Sequence, residues 1–423
     1  MNMQRHASAT RQQGLSLIEL MVALTISFLV ALGILQIFSA SSQTYRMQEG
    51  LSRVQESGRY AAQFLQRELR TVGYEGCGSD TQRTSQLSSV NHLADYSATV
   101  FGGDAVDPKF RFQRPIEAFA AEDLTNADLP AGLTVGQLHL VPGTDVLILR
   151  TVSEEAVPVI NVAVTHNHTG LDVTVSSDAT TVFPDTDGAA IAYALESCRS
   201  ADVFVGTLNA GTSIVSVAGT TSPNVYLDPT VYDCNPAGGC PWDFRIGTTA
   251  LLKASAAAVG GPAGSPLQLN AELHRAEYVL LYVSTGPNGD QTVPSLYRMR
   301  LQRNGTALGD AEELARGIEN LQLRFGVDAA PYDGQVDTPY KTADEVAAGT
   351  AGPFLDLKWS RVLSVQIGVL VRSPERAGVP GTTPDGQPRR VTLLGDPIDV
   401  PDDGAIRQAY ETTVALRNRI FNS

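Results

Sequence analysis

The chain has 423 residues, of which 43% are hydrophobic and 18% charged, a balance that argues for a folded protein rather than wholesale disorder. Thirty-one Arg and Lys against 45 Asp and Glu leave a net charge of −14. That argues against a nucleic-acid partner, which needs a basic footprint to displace counterions, and against adhesion to anionic lipid by charge alone. The length fits two or three domains, or one large β-domain with an appendage.

Residues 1–14 are polar, carry Arg5 and Arg11, and contain no acid. An apolar run follows over residues 15–40, and no charge occurs between Leu20 and Tyr45. About 20 apolar residues in a helix span a bilayer core of roughly 30 Å. Basic residues before the span place that end in the cytoplasm, so the remainder is exported. A conventional signal peptide has a shorter apolar region and a cleavage site, and the stretch around Phe38-Ser39-Ala40-Ser41 offers one. Glu19 argues otherwise. A carboxylate inside the span costs roughly 2.5–3.5 kcal/mol near the bilayer centre, which a disposable segment has no reason to carry. If the chain is cut after Gly14, Leu15 gains an α-amino group four residues before Glu19, on the same helix face. Pairing of Glu19 with that amino group, its own or a neighbour's, offsets part of the desolvation of both charges.

The segment Gly14-Leu15-Ser16-Leu17-Ile18-Glu19-Leu20 behind a short basic leader resembles the signal of type IV prepilins and of type II secretion pseudopilins. The resemblance implies cleavage after Gly14 by a membrane prepilin peptidase and N-methylation of Leu15. It makes Glu19 the residue of subunit recruitment and helix-bundle register. Leu15 and Ser16 stand where that family usually has Phe and Thr. Four further segments resemble the PilW family of minor pilins: Arg70 to Cys77, Cys198 to Val205, Gly317 to Val327, and Thr412 to Arg419. Together they imply an α+β, type IV pilin-like fold, a long helix packed on a large β-rich head. The implied role is non-enzymatic: initiation or assembly of the type IV pilus, at or near its tip. The implied partners are other minor pilins and the major pilin through their N-terminal helices, the prepilin peptidase, the inner-membrane assembly platform and a tip adhesin. The implied location is the inner membrane, single-pass with a periplasmic head, and then the fibre at the cell surface, with roles in twitching motility and cell adhesion.

Residues 41–72 contain no Pro, and Leu51, Val54, Gly58, Ala61, Leu65, Leu69 and Val72 recur at spacings of three or four. This predicts an amphipathic helix continuing the membrane span, stopped at Gly73 and about 85 Å long from residue 16 to 72. The alternative is two helices broken near Ser39–Ser42. The expected organisation is thus a leader over 1–14, a helix over 15–72, and a periplasmic head over 73–423, built as two lobes or as one sheet with inserted loops.

In the head, β-branched and aromatic runs alternate with turn-forming clusters. Expected strands are Val146–Leu149, Leu171–Val175, Val203–Val205, Tyr278–Ser284, Leu296–Leu301, Leu321–Val327, Val362–Val371 and Thr412–Leu416. The almost unbroken apolar run 362–371 predicts a central strand covered on both faces. Tyr278–Val283 and Leu296–Leu301 predict a hairpin, and 254–266, 343–353 and 376–389 exposed loops.

The four cysteines are Cys77, Cys198, Cys234 and Cys240, which allow three pairings. Cys234 and Cys240 bracket a flexible Asn-Pro-Ala-Gly-Gly turn; closing that loop leaves Cys77 with Cys198. Disulfides imply an oxidising compartment, and four buried free thiols are the alternative.

Other motifs read as ordinary structure. His166 and His168 lack a third ligand nearby. Asp185, Asp187 and Glu196 mimic positions of a calcium loop, but Ala190 stands where its sharp turn demands Gly. Asp396, Asp399, Asp402 and Asp403 are the one candidate group for a hard cation such as calcium, with solvated loop acids as the default. Trp242 and Trp359 fit core packing. No nucleophile elbow, zinc-protease motif or phosphate loop occurs, so neither catalytic residues nor a cofactor are expected. Two other functions compete with the pilus role. One is a minor pseudopilin of a type II secretion system. The other is a secreted β-rich enzyme or binding protein whose mature chain starts near Ser41.

Overall fold

In a computed structural model of the chain, the described residues are 16–74, 107–111, 114–164, 170–184, 188–197, 200–218, 271–303, 305–329, 334–348, 359–377 and 387–417. The first element is one α-helix, α1 (Leu17–Thr71), 55 residues long. At 1.5 Å per residue it extends about 82 Å. It passes through Ser39–Ser42 without interruption, so the predicted alternative of two helices does not occur. The Thr44 hydroxyl donates to the Ala40 carbonyl at 2.9 Å, which satisfies the polar side chain without opening the helix. Past its end Gly73 has φ +70°, the left-handed conformation that only glycine adopts freely.

The C-terminal half of α1 buries Gly50, Val54, Gly58, Ala61, Phe64, Leu65 and Leu69. The apolar periodicity located this stripe but misplaced one edge. Leu51 is 41% exposed, and its neighbour Gly50 lies against Ile406 and Ser373 instead. Phe64, absent from the predicted stripe, is 6% exposed. Each fully buried Val or Leu in such a stripe contributes ~1.5–3 kcal/mol.

The head contains an open antiparallel sheet, a ring of strands and a second sheet. Strands β1 (Ile116–Ala120), β2 (Asp145–Val164), β7 (Ala271–Ser284), β8 (Ser295–Arg300) and β9 (Glu312–Arg316) pair side by side in that order. The long strands β2 and β7 run on beyond this sheet. There β2 pairs with β3 (Gly170–Val175), β3 with β6 (Ile214–Ala218), β6 with β5 (Ser200–Asn209), β5 with β4 (Ala190–Ser197), and β4 with β7. Since β7 also pairs with β2, these six antiparallel strands form a closed ring, which leaves no free edge. Its core is Phe183, Tyr193, Phe204, Leu208 and a set of valines.

The second sheet runs β11 (Asp337–Lys341), β10 (Ile318–Val327), β12 (Val362–Arg372), β15 (Arg407–Ala415). As its apolar run predicts, β12 is central and covered on both faces. Val365, Ile367, Val369 and Val371 face the helix side, while Leu370 packs under the hairpin of β13 (Arg390–Leu393) and β14 (Asp396–Asp399). Helix α1, the inner face of the open sheet and the inner face of this sheet share one core.

Six of the eight expected strands fall within observed ones, the other two overrun β8 and β15 by one residue each (Leu301 and Leu416), and β7–β8 is the expected hairpin. The expected loop at 343–353 instead begins with a short helix (Ala343–Ala348), because Ala343 and Val346 turn into the core. Within the expected loop at 376–389, Ala377 is buried; residues 254–266 lie outside the described ones. Trp359 is a core residue, edge-on to Phe325 at 5.1 Å.

Asp145, at the start of β2, joins the two sheets by accepting the Leu323 N–H of β10 at 2.7 Å. Burial pushes its carboxyl up to about 7, against the lowering by that bond and by Arg324; Asp344 and Glu122 add repulsion. The folded protein therefore holds a proton that the unfolded chain releases near pH 4. This site's contribution to stability falls as pH rises from about 4 through 7. Thermal unfolding across that range should show the decline, and Asp145→Asn should flatten it. A second prediction concerns Gly58. A Cβ there would stand 2.1 Å from the Tyr410 ring, so Gly58→Ala must displace that ring from the helix. It should cost ~1–3 kcal/mol, read as a lowered denaturation midpoint, and Tyr410→Leu should relieve part of the loss.

Candidate functional site

Two halves of one helix meet different surroundings. From Leu17 to Phe38 the apolar side chains of α1 are exposed, Leu17 at 77% and Phe38 at 73%, and the head covers none of them. An uncovered apolar surface of this size marks a membrane or protein partner. The helix is long and apolar enough to cross a membrane. Its hydroxyls suit lipid. Thr25 donates to the Met21 carbonyl at 2.8 Å, so no donor of that side chain is left for water.

Glu19 is the single acid of this half. It sits in the first turn, where its Oε2 accepts the Ser16 backbone N–H at 3.2 Å. A carboxylate there answers one unsatisfied donor and the positive end of the helix dipole. It is exposed, so its second oxygen is open to a further donor. Gly14 and Leu15 lie outside the described residues.

The seated half is fixed at three levels. At its top, the Thr151 hydroxyl of β2 donates to the Thr71 carbonyl at 2.9 Å. At mid-height, Phe64 lies between two guanidinium groups, Arg67 and Arg298, each 5.3 Å from the ring centroid. Arg298 in turn donates to Glu312 at 2.6 Å. Lower down, Gly58 admits the Tyr410 ring against the helix backbone, and the Tyr410 hydroxyl donates to the Val54 carbonyl at 3.4 Å.

Beside Gly50, where the helix leaves the head, the backbone of Ser373 and Ile406 closes on an ion cluster. The Ser373 N–H donates to the Ile406 carbonyl at 2.8 Å. Arg407 grips Glu319 through two bonds of 2.6 and 2.8 Å, and Asp403 through two of 2.8 Å. Arg372 adds a third cation contact to Asp403 at 3.0 Å. Arg407 is 5% exposed, and despite that burial its two carboxylate partners push its pKa up. The hydrogen bonds from Arg407 hold Asp403 down at about 2.

Three of the four acids suggested for a cation are drawn to different arginines. Asp403 belongs to this cluster, Asp399 pairs with Arg390 at 2.6 Å, and Asp396 pairs with Arg324. Among the described residues no group of three or more His, Cys, Asp or Glu converges on a point that could hold a metal ion. Cys77, Cys198, Cys234, Cys240, His166, His168, Asp185, Asp187 and Trp242 lie outside the described residues, as does the side chain of Glu196. Sequence reasoning missed Tyr410, Arg407 and Gly50. Its one available signal was the pair of glycines, Gly50 and Gly58, two turns apart in a helix where glycine costs ~1 kcal/mol each.

Comparison with known proteins adds three findings. Residues 9–35 match the family model of the prokaryotic N-terminal methylation motif. Residues 280–418 match that of type IV pilus-assembly protein W. Among solved structures, a type IV-like pilin from Thermus thermophilus is similar at 18% identity and a TM-score of 0.21, covering 35% of this chain and 70% of that one. No curated protein matches. An apolar helix that runs from an N-terminal methylation motif into the core of a β-rich head is the arrangement of a type IV pilin-like protein. Within that class, residues 280–418, about a third of the chain, resemble the PilW family and lie behind a stretch that resembles the prepilin methylation motif.

The ion cluster beside Gly50 yields a prediction. Asp403 is held below its unfolded value, so its contribution to stability is present above about pH 4 and is lost as pH falls toward 2. Acid unfolding followed by circular dichroism should shift to higher pH in Arg407→Met. At neutral pH the same variant should be destabilised by ~3–5 kcal/mol, since it leaves Glu319 without its bidentate partner.

Proposed function

We propose that this chain is a minor pilin, cut after Gly14 by prepilin peptidase and N-methylated on Leu15, that takes part in initiating and assembling a type IV pilus at or near its tip. The observation that carries this reading is the division of α1. One unbroken helix has an apolar half that its own head leaves bare and a second half locked into the head's core. Such a helix stands in the inner membrane before assembly and packs against the helices of other pilins afterwards, while the head faces the periplasm and then the outside of the fibre.

Glu19 supplies register. Its carboxylate already answers the Ser16 N–H, with an oxygen left for the amino terminus of a neighbouring subunit. In an apolar bundle, a charge-assisted bond of this kind forms only when the helices are correctly staggered, because a misplaced carboxylate stays desolvated and unpaired. The expected partners are the other minor pilins, the major pilin, the inner-membrane assembly platform and a tip adhesin.

Mass spectrometry of the purified chain should find Leu15 at the N-terminus with one added methyl group. A mature N-terminus near Ser41 would remove the helix from the finished protein and end the reading. Glu19→Ala should leave the protein folded and in the membrane but nearly abolish surface pili; normal piliation would take Glu19 out of the mechanism. Deletion of the gene should abolish twitching and spare protein secretion. The reverse pattern would identify a type II secretion pseudopilin instead.

A further inference from the structure

The outer face of the open sheet, on the side away from α1, carries a cavity of about 460 Å³. Its floor is β7 and β8, through Tyr282, Tyr297 and Met299; its walls are the stretch around Leu133 and the turn around Leu308. The size falls within the roughly 300–1,000 Å³ range of small-ligand sites.

Its polar equipment is specific. The two tyrosine rings are stacked, with centroids 5.9 Å apart and planes 23° from parallel. Tyr282 is 2% exposed and, like Tyr297, lines the cavity. The Tyr297 hydroxyl accepts from Gln291 Nε2 at 2.9 Å, which leaves its own proton free to donate. Charge at the cavity is balanced. Lys109 is neutralised by Asp107 at 3.0 Å, and Asp310 stands exposed at the rim. Two phenolic donors, aliphatic walls and no unopposed buried charge fit a neutral ring that presents hydroxyls on one side and C–H groups on the other.

We propose that this cavity is a saccharide-binding site, sized for a neutral mono- or disaccharide, with the Tyr282 and Tyr297 hydroxyls bonding ring oxygens or hydroxyls and Leu133, Met299 and Leu308 packing its apolar face. The site is separate from the helix and its seat, because it lies on the opposite face of the open sheet. The head would then carry a recognition function besides assembly.

The test uses the full mature chain in a zwitterionic detergent, since maltoside detergents would compete. Ligand-observed saturation-transfer NMR is run with N,N′-diacetylchitobiose, with maltose and with a proline-rich peptide as separate probes. Saturable binding of either sugar is expected. Tyr282→Phe keeps the ring and removes the hydroxyl, so it should weaken binding roughly fivefold to tenfold. Ala131→Trp, at an exposed position on the rim, should block it without disturbing the core. Unchanged thermal unfolding of both variants confirms that they fold. Binding of chitobiose without maltose would point to N-acetylated sugars, and binding of both to a general pyranose site. The proposal is overturned if neither sugar binds, if both variants bind as the parent does, or if only the peptide binds.

Discussion

One helix must satisfy two solvents at once, and the rest of the structure depends on that. The half from Leu17 to Phe38 is predominantly apolar, and its large side chains are exposed rather than covered by the described residues of the head. The half from Gly50 to Thr71 is apolar along one stripe and polar elsewhere. Because no break separates them, any force on the bare half reaches the head as a rigid-body motion. A helix held only by hydrophobic contact would slide along its groove, since burial is non-directional. Here directional contacts prevent sliding: the Thr151 bond near the top, Phe64 between two guanidinium groups in the middle, and the Tyr410 ring against Gly58 below.

The same division explains where charge is placed. In the bare half, two of the few polar side chains, Thr25 and Glu19, bond to the helix's own backbone. That is the arrangement a hydrocarbon environment demands. Beside the seated half, the buried charge of the head is paired. Arg407 binds two carboxylates from two different segments, Glu319 on β10 and Asp403 beside β15. It thereby ties the last strand of the sheet to β10 across β12, beside the point where the helix emerges.

Much of this was legible in the sequence where the signal is one-dimensional. The apolar run with Glu19 in its first turn, the stripe of period 3.6 and the β-branched runs of β7, β10 and β12 all survive projection onto a string, and each located its element. What failed depends on contact across the fold. Leu51 and Gly50 are equally compatible with the stripe, and only the position of Ile406 decides which is covered. The acids at 396–403 read as a charge cluster because the arginines that separate them, Arg324, Arg372 and Arg407, come from other strands. Strand β9 escaped notice because it is mostly exposed and its sequence, Glu-Glu-Leu-Ala-Arg, suits a helix better. Pairing with β8 overrides that preference. Tyr282 was read as part of a strand, and only the walls around it make it a cavity floor.

The closed ring of strands shows how a head can enlarge without disturbing the seat. It is inserted between the outer ends of β2 and β7, and its core, around Tyr193 and Phe204, is distinct from the core that holds α1. The stretch matched by the pilus-assembly family begins at residue 280, after the ring has closed, and ends at residue 418. It contains β8 to β15, and with them Glu319, Arg372, Asp403, Arg407 and Tyr410. The residues that grip the helix are therefore concentrated in the matched stretch, and the ring lies outside it. A seat whose geometry must suit one shared helix design tolerates little change. The ring meets the seat through β2, β7 and the packing of Tyr74 against Ala192, Ala194 and Val203, while its own core, around Tyr193 and Phe204, contains no residue of the helix.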